Sequence, residues 1–171
     1  TGRDVLHTRL AASNAQTFTQ AGTNVGAEGT QTFQVGGGNN QANNTSNNAV
    51  SIDRLTYEVP IGPANVYIAA SGGEHSQYAA VNNPYFFDKT DGGNGALSTF
   101  ASESPIYRIG GGAGIALNVP LGKGGGILGN SSITAGYLAS QANNPGLNQG
   151  LTNGDYAALG QLNFSVGDRV A

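Results

Sequence analysis

Few side chains in this sequence can do chemistry, and their surroundings exclude most kinds of it. Ser, His and Asp are all present, but the two histidines, His7 and His75, lie in no nucleophile motif. DKTDGGNG, residues 88–95, places Asp88, Asp91 and Asn94 among glycines and invites a calcium reading. An EF-hand loop needs acidic residues at alternate positions and a distal bidentate Glu, and neither is there, so an Asp/Gly turn is expected. The run Gly110 to Gly114 is followed by no helix start and no Lys-Ser/Thr pair, which a phosphate cradle requires. Asn44 with Ser46 fits a glycosylation acceptor in form only. With no Cys there is neither a disulfide nor a thiolate metal site. The expectation is no enzyme, no cofactor and no bound metal.

The remaining candidates are charges carried by extended segments. PIYRIGGGAGIALNVPLG, residues 105–122, sets the pattern: Tyr107, Ile109, Ala113, Ile115, Leu117, Val119 and Leu121 alternate with Arg108, Gly110, Gly112, Gly114, Ala116 and Asn118. Period-two alternation predicts strands, and no stretch shows convincing helical periodicity. Similar segments are 4–12, 49–61, 65–72, 131–140 and 155–166, with 29–35 as a short strand inside a loop. In each long segment one face is apolar; the other holds Gly, Ala, Ser, Thr, Asn and Gln with an occasional charge. By this phase His7, Arg9, Arg54, Glu58 and Arg108 share the small, polar side. The bland alternative is structural pairing, Arg54 with Glu58 or Asp53.

A packed core strand would fill its second face, and a solvent-facing one would charge it. A hydrated, spacious lumen needs neither. Charges on a lipid face would cost about 2–4 kcal/mol each at mid-membrane, so the inward orientation is preferred. Tyr57, Tyr107, Tyr137, Tyr156 and Phe164 fall on the apolar side near strand ends, as an interfacial girdle would. The connections are sorted too. The loops 13–48, 73–104 and 141–154 are long, whereas Gly62-Pro63 and the Gly122 to Gly126 run are short, and long and short alternate along the chain. In a meander that puts all long loops at one end, the asymmetry of outer-membrane barrels.

Composition agrees. Only 10% of the 171 residues are charged, the net charge is −3, and 28 residues are glycine. Seven Lys and Arg are too few for a phosphate-binding surface, so no nucleic-acid partner is expected. No apolar run approaches the ~20 residues of a membrane-spanning helix. The absence of Met leads to the expectation of a processed chain or a segment.

Several stretches resemble one family: DVLHTRLAASN (4–14), NAVSIDRLTYEVPIG (48–62), VYIAASGG (66–73), GALSTFASESPIYRIGGGAGIALN (95–118) and AGYLASQANNPGLNQGLTNGDYAALGQLNFS (135–165). They are similar, in order, to the barrel of cyanobacterial outer-membrane porins, often called iron-uptake porins, within the OprB-like carbohydrate-selective group. The resemblance implies an all-β, antiparallel up-and-down transmembrane barrel, of which residues 1–171 form a single segment covering about half of a ~16-stranded wall. It implies a passive channel for small hydrophilic solutes and inorganic ions, iron or carbohydrate among them, in the outer membrane of a cyanobacterium or similar Gram-negative-type bacterium. It further implies lipid contact and a homotrimer. Peptidoglycan would be gripped only by a surface-layer-homology domain that this sequence lacks. Loop 73–104, with Glu74, Asp88, Asp91 and Glu103, would fold inward as an acidic constriction facing the basic wall, and such a transverse field selects ions by charge. Two alternatives stay open. One is a secreted or surface structural or adhesive β-protein without channel activity, although a solenoid would need a fixed repeat. The other is a small complete barrel of about eight strands, whose interior larger side chains would fill.

Overall fold

The computed structural model describes residues 2–12, 19–20, 23–24, 50–80, 104–122 and 131–164. The chain is all-β. Strands β1 (Val5–Ala11), β4 (Ser51–Ile61), β5 (Ala64–Gly73), β6 (Gly112–Pro120), β7 (Ser132–Ala139) and β8 (Tyr156–Asn163) form one six-stranded sheet in that order. A two-residue pair, β2 (Thr19–Gln20) and β3 (Thr23–Asn24), lies within the long first loop. The chain divides into two compact units, Thr1–His7 with Leu55–Ala171, and Thr8–Arg54. In the second unit, the Arg9 guanidinium donates to Asp53 and the Ser51 hydroxyl lies 3.5 Å from the Ala11 carbonyl.

In the first unit β4 to β8 run as an antiparallel meander. β4 has 11 residues and β8 has 8, close to the roughly 9–11 that a tilted strand needs to cross a bilayer core. Gly62-Pro63 closes the β4–β5 hairpin, and residues 121–131 join β6 to β7. Residues 74–111 and 140–155 join strands at the opposite end. The connection at 121–131 is longer than the Gly122 to Gly126 turn expected there.

Register carries the alternation from strand to strand. Tyr57 pairs with Ile68, Ile68 with Ile115, Ile115 with Tyr137 and Tyr137 with Ala158. One step along, Glu58, Tyr67, Ala116, Gly136 and Leu159 form the neighbouring row, on the other face. A one-residue slip would exchange the two faces, so the apolar pattern fixes the register. Ile115 is 56% exposed, Leu117 41%, Ile133 46% and Leu162 61%. Tyr67, Ala116 and Leu138, by contrast, are buried. Leaving a large apolar side chain in water forgoes about 1.5–3 kcal/mol, so a contiguous face of this kind is built for a non-aqueous neighbour.

Three expectations change. Residues 105–111 are not strand: Pro105–Arg108 is a 3-10 turn, and β6 begins only at Gly112. Pro105 favours a turn start, and Gly110 and Gly112 take φ of 78° and 113°, values that alternation cannot anticipate. Tyr107 therefore leaves the proposed girdle, and its hydroxyl donates to Gln161 on the small-residue face at 2.7 Å. Short helical pieces also occur in the loops, namely a 3-10 turn at His75–Gln77 and α1 (Gly150–Asn153). The expected strand at 29–35 lies outside the described residues.

Gly136 marks a close approach. A Cβ there would run into the Tyr78 ring and hydroxyl, whereas a Cβ at Gly160 meets nothing within 4 Å. Gly136→Ala in the full-length protein is expected to destabilise by about 1–3 kcal/mol through overpacking and to expose residues 74–80 to protease. Gly160→Ala serves as the silent comparison. Equal digestion of the two variants would contradict this packing.

Candidate functional site

On the small-residue face of the first unit one row is polar from β5 to β8, and its β4 member is Pro60. Asn65 pairs with Asn118, Asn118 with Thr134 and Thr134 with Gln161. The Asn118 amide donates to the Thr134 hydroxyl at 2.7 Å, and the Asn65 amide to the Glu58 carboxylate at 3.3 Å. Amides and hydroxyls in register make an uncharged track of donors and acceptors, with Thr134 fully buried in it and Glu58, in the neighbouring row, bonded to Asn65.

Next to this row the chain folds back over the same face. After Gly73 the turn His75–Gln77 carries Tyr78 onto Tyr67, with ring centroids 5.3 Å apart, and the missing side chain at Gly136 leaves room for the Tyr78 ring. The segment is anchored by polar contacts. Tyr67 donates to the Gln77 side-chain oxygen, and the Gln77 amide donates to the Gly72 carbonyl at 3.1 Å and to Glu74 at 3.3 Å. Farther on, the Gln161 amide donates to the Ala80 carbonyl at 2.8 Å, and Asn163 donates to the same oxygen. Residues 74–80 thus line the polar track instead of leaving the sheet.

His75 is the most enclosed titratable group here, 1% exposed. Burial pushes its pKa below the ordinary value, opposed by a hydrogen bond to the Ile109 backbone. Burial also raises the Tyr78 phenol, with nearby Tyr67 adding to the effect. The Tyr78 hydroxyl and His75 Nδ1 share a hydrogen bond whose direction follows the imidazole tautomer.

The predicted residues fall as follows. Arg54 is buried in β4, where the alternation places it, and Glu58 is half-buried and bonded to Asn65. Arg9 pairs with Asp53. His7 is exposed in β1. Arg108 sits in the 3-10 turn, so strand phase does not place it, and that turn packs beside the one at His75–Gln77. Glu74 is half-buried at the start of the inward turn. Asp88, Asp91 and Glu103 lie outside the described residues. His75, for which the sequence offered no motif, is buried and held by Tyr78. The missed signal was the His75–Tyr78 spacing together with an unfilled glycine on the facing strand. Among the described residues no cluster of His, Cys, Asp or Glu could hold a metal ion, and no helix is long and apolar enough to cross a membrane.

A depressed folded-state pKa means that the unfolded chain binds the His75 proton first. The stabilising effect of this packing is then complete above the ordinary histidine value of about 6.5 and lost as pH falls through the lower folded value. Acidification from pH 7 to pH 5 is expected to increase hydrogen exchange in residues 74–80, and His75→Gln to flatten that dependence. An unchanged pH profile in the variant would contradict the assignment.

Comparison with known proteins fits this two-faced wall. The chain is 73% identical to an uncharacterized protein of Nostoc sp., covering 100% of this chain and 29% of that protein. It is 29% identical to an uncharacterized protein of Synechocystis sp., covering 98% of this chain and 27% of the other. It therefore spans less than a third of the length of these relatives. No solved structure matches. The carbohydrate-selective porin family, OprB, matches residues 1–171 in full, and the chain belongs to that family.

Proposed function

We propose that this chain forms part of the wall of a passive outer-membrane channel that passes carbohydrates and other small hydrophilic solutes. The observation that carries the reading is the opposition of the two faces. One is apolar and uncovered at Ile115, Leu117 and Leu162; the other is a polar, small-residue track partly overlaid by its own loop. The family match supports carbohydrate as the solute class. A row of amides and hydroxyls suits it chemically, because such groups exchange hydrogen bonds with sugar hydroxyls without trapping a charge. Iron transport has no observation of this chain behind it, and the reading of a structural or adhesive β-protein gains nothing from the family match. Lipid contact, an outer-membrane location in a cyanobacterium and a trimeric assembly belong to the same proposal.

In this reading Arg108 and Glu74, on and beside two turns that pack together, and Glu58 beside Asn65 supply the charges near the polar track, and Arg54 is a wall cation of the second unit. Opposed charges of this kind orient hydrated ions and bias passage by sign.

The deciding experiment is conductance of the full-length protein in planar bilayers with a size series of neutral sugars. Conductance is expected to fall only for solutes small enough to enter, and no conductance at any protein concentration would overturn the channel. Arg108→Ala is expected to shift reversal potentials toward cation selectivity. A unit charge acting across ~4 Å of water contributes about 1 kcal/mol, so the permeability ratio should change up to about fivefold. Reversal potentials that do not move would remove Arg108 from the filter.

A further inference from the structure

The loop between β7 and β8 lies against the apolar face, not the polar one. Tyr137, an apolar-face residue paired with Ile115 and Ala158, donates its hydroxyl to the Leu151 carbonyl. Tyr156 stacks on Tyr137 at 5.4 Å and 24°. A hollow of about 490 Å³ between this loop and the strand ends is lined in part by Ala70, Ala113, Ala142 and Leu151.

The loop is internally satisfied. Asn144 N–H donates to the Gln141 carbonyl at 3.0 Å, Gly150 N–H to the same carbonyl at 3.1 Å, and Gln149 N–H to Gly146 at 3.2 Å. Asn148 takes a left-handed φ of 58°, which asparagine tolerates better than most residues. This ordered turn presents Leu147, 97% exposed, with Leu151 also exposed. From Gln141 to Gly154 there is no charged residue. A water-facing loop gains nothing by holding two leucines out of its own packing. The headgroup interface is hydrated, so the loop's amides and backbone groups can keep water there while its leucines reach the acyl boundary.

We propose that the 141–154 loop seats on the bilayer, with Leu147 and Leu151 in the headgroup–acyl boundary beside the Tyr137–Tyr156 stack. The inference rests on the channel-wall reading, since it continues that reading's lipid face beyond the strand ends. Its occupant is lipid because the loop borders the apolar face at Tyr137 and Tyr156, presents two exposed leucines and carries no charge that a charged protein partner would pair. Insertion of an apolar surface into this boundary reaches about 5–10 Å.

The test uses the full-length protein reconstituted in phosphatidylcholine vesicles that contain a shallow nitroxide-labelled lipid. This chain has no cysteine, so Leu147→Cys and, separately, Ile115→Cys each give its one thiol for an environment-sensitive fluorophore. The expected result is that both fluorophores are quenched by the nitroxide lipid and that the Leu147→Cys label is poorly quenched by aqueous iodide. If the Ile115→Cys label meets lipid but the Leu147→Cys label meets only iodide, the loop stands in water and the proposal is overturned. If the Leu147→Cys label is shielded from both, the loop is covered by protein, such as a second copy, and the proposal is again overturned. Failure of the Ile115→Cys label to meet lipid would instead overturn the wall reading itself, and the loop proposal with it.

Discussion

The pleat of a β-strand is the constraint on which the rest depends. Successive side chains point to opposite faces, so one backbone can border oil and water at once, provided its inter-strand ladder satisfies every peptide group. The first unit applies this over five strands. The register that aligns Tyr57, Ile68, Ile115 and Tyr137 on one face necessarily aligns Glu58, Tyr67, Ala116 and Gly136 on the other. Neither face can be adjusted alone, because a slip that spoiled the apolar band would also bury it against the polar track.

Small residues give the second face its character. Ala116 and Gly136 leave space above the backbone, and the chain fills part of that space with its own segment 74–80. The Tyr78 ring occupies the opening above Gly136, while Gln77, Gln161 and Asn163 hold the backbone on either side. Polar side chains hold the covering segment at the wall, and apolar contact is limited to Tyr67, Ala69, Tyr78, Ala116 and Leu138 with Leu159 beside them. The inward segment is thus ordered without a conventional core, in keeping with a surface that has to stay hydrated.

The strands and their two-faced nature were legible in the sequence because alternation is a local, period-two signal. β4, β5, β7 and β8 begin and end close to where the pattern placed them. The start of β6 was misread because Ile109 and Gly111 continue the alternation on paper, while Pro105 and the left-handed glycines turn the backbone. Tyr107 and Arg108 moved with that turn. The burial of His75 was out of reach for a different reason: it is held by Tyr78, whose ring Gly136 on a distant strand admits, a contact that no local pattern records. The Arg9–Asp53 pair was equally out of reach, since 44 positions separate the partners.

The most direct test is the period of solvent contact along Gly112–Pro120 in the full-length protein embedded in a bilayer. Nitroxides placed singly along β6 would be compared for collision with dissolved oxygen, which concentrates in lipid, and with a water-soluble nickel chelate. The account predicts a two-residue period: Ala113, Ile115, Leu117 and Val119 favouring oxygen, Ala116 shielded from both probes under the covering segment, and Asn118 favouring the chelate. Profiles without a two-residue period, or lipid contact on neither set, would contradict it.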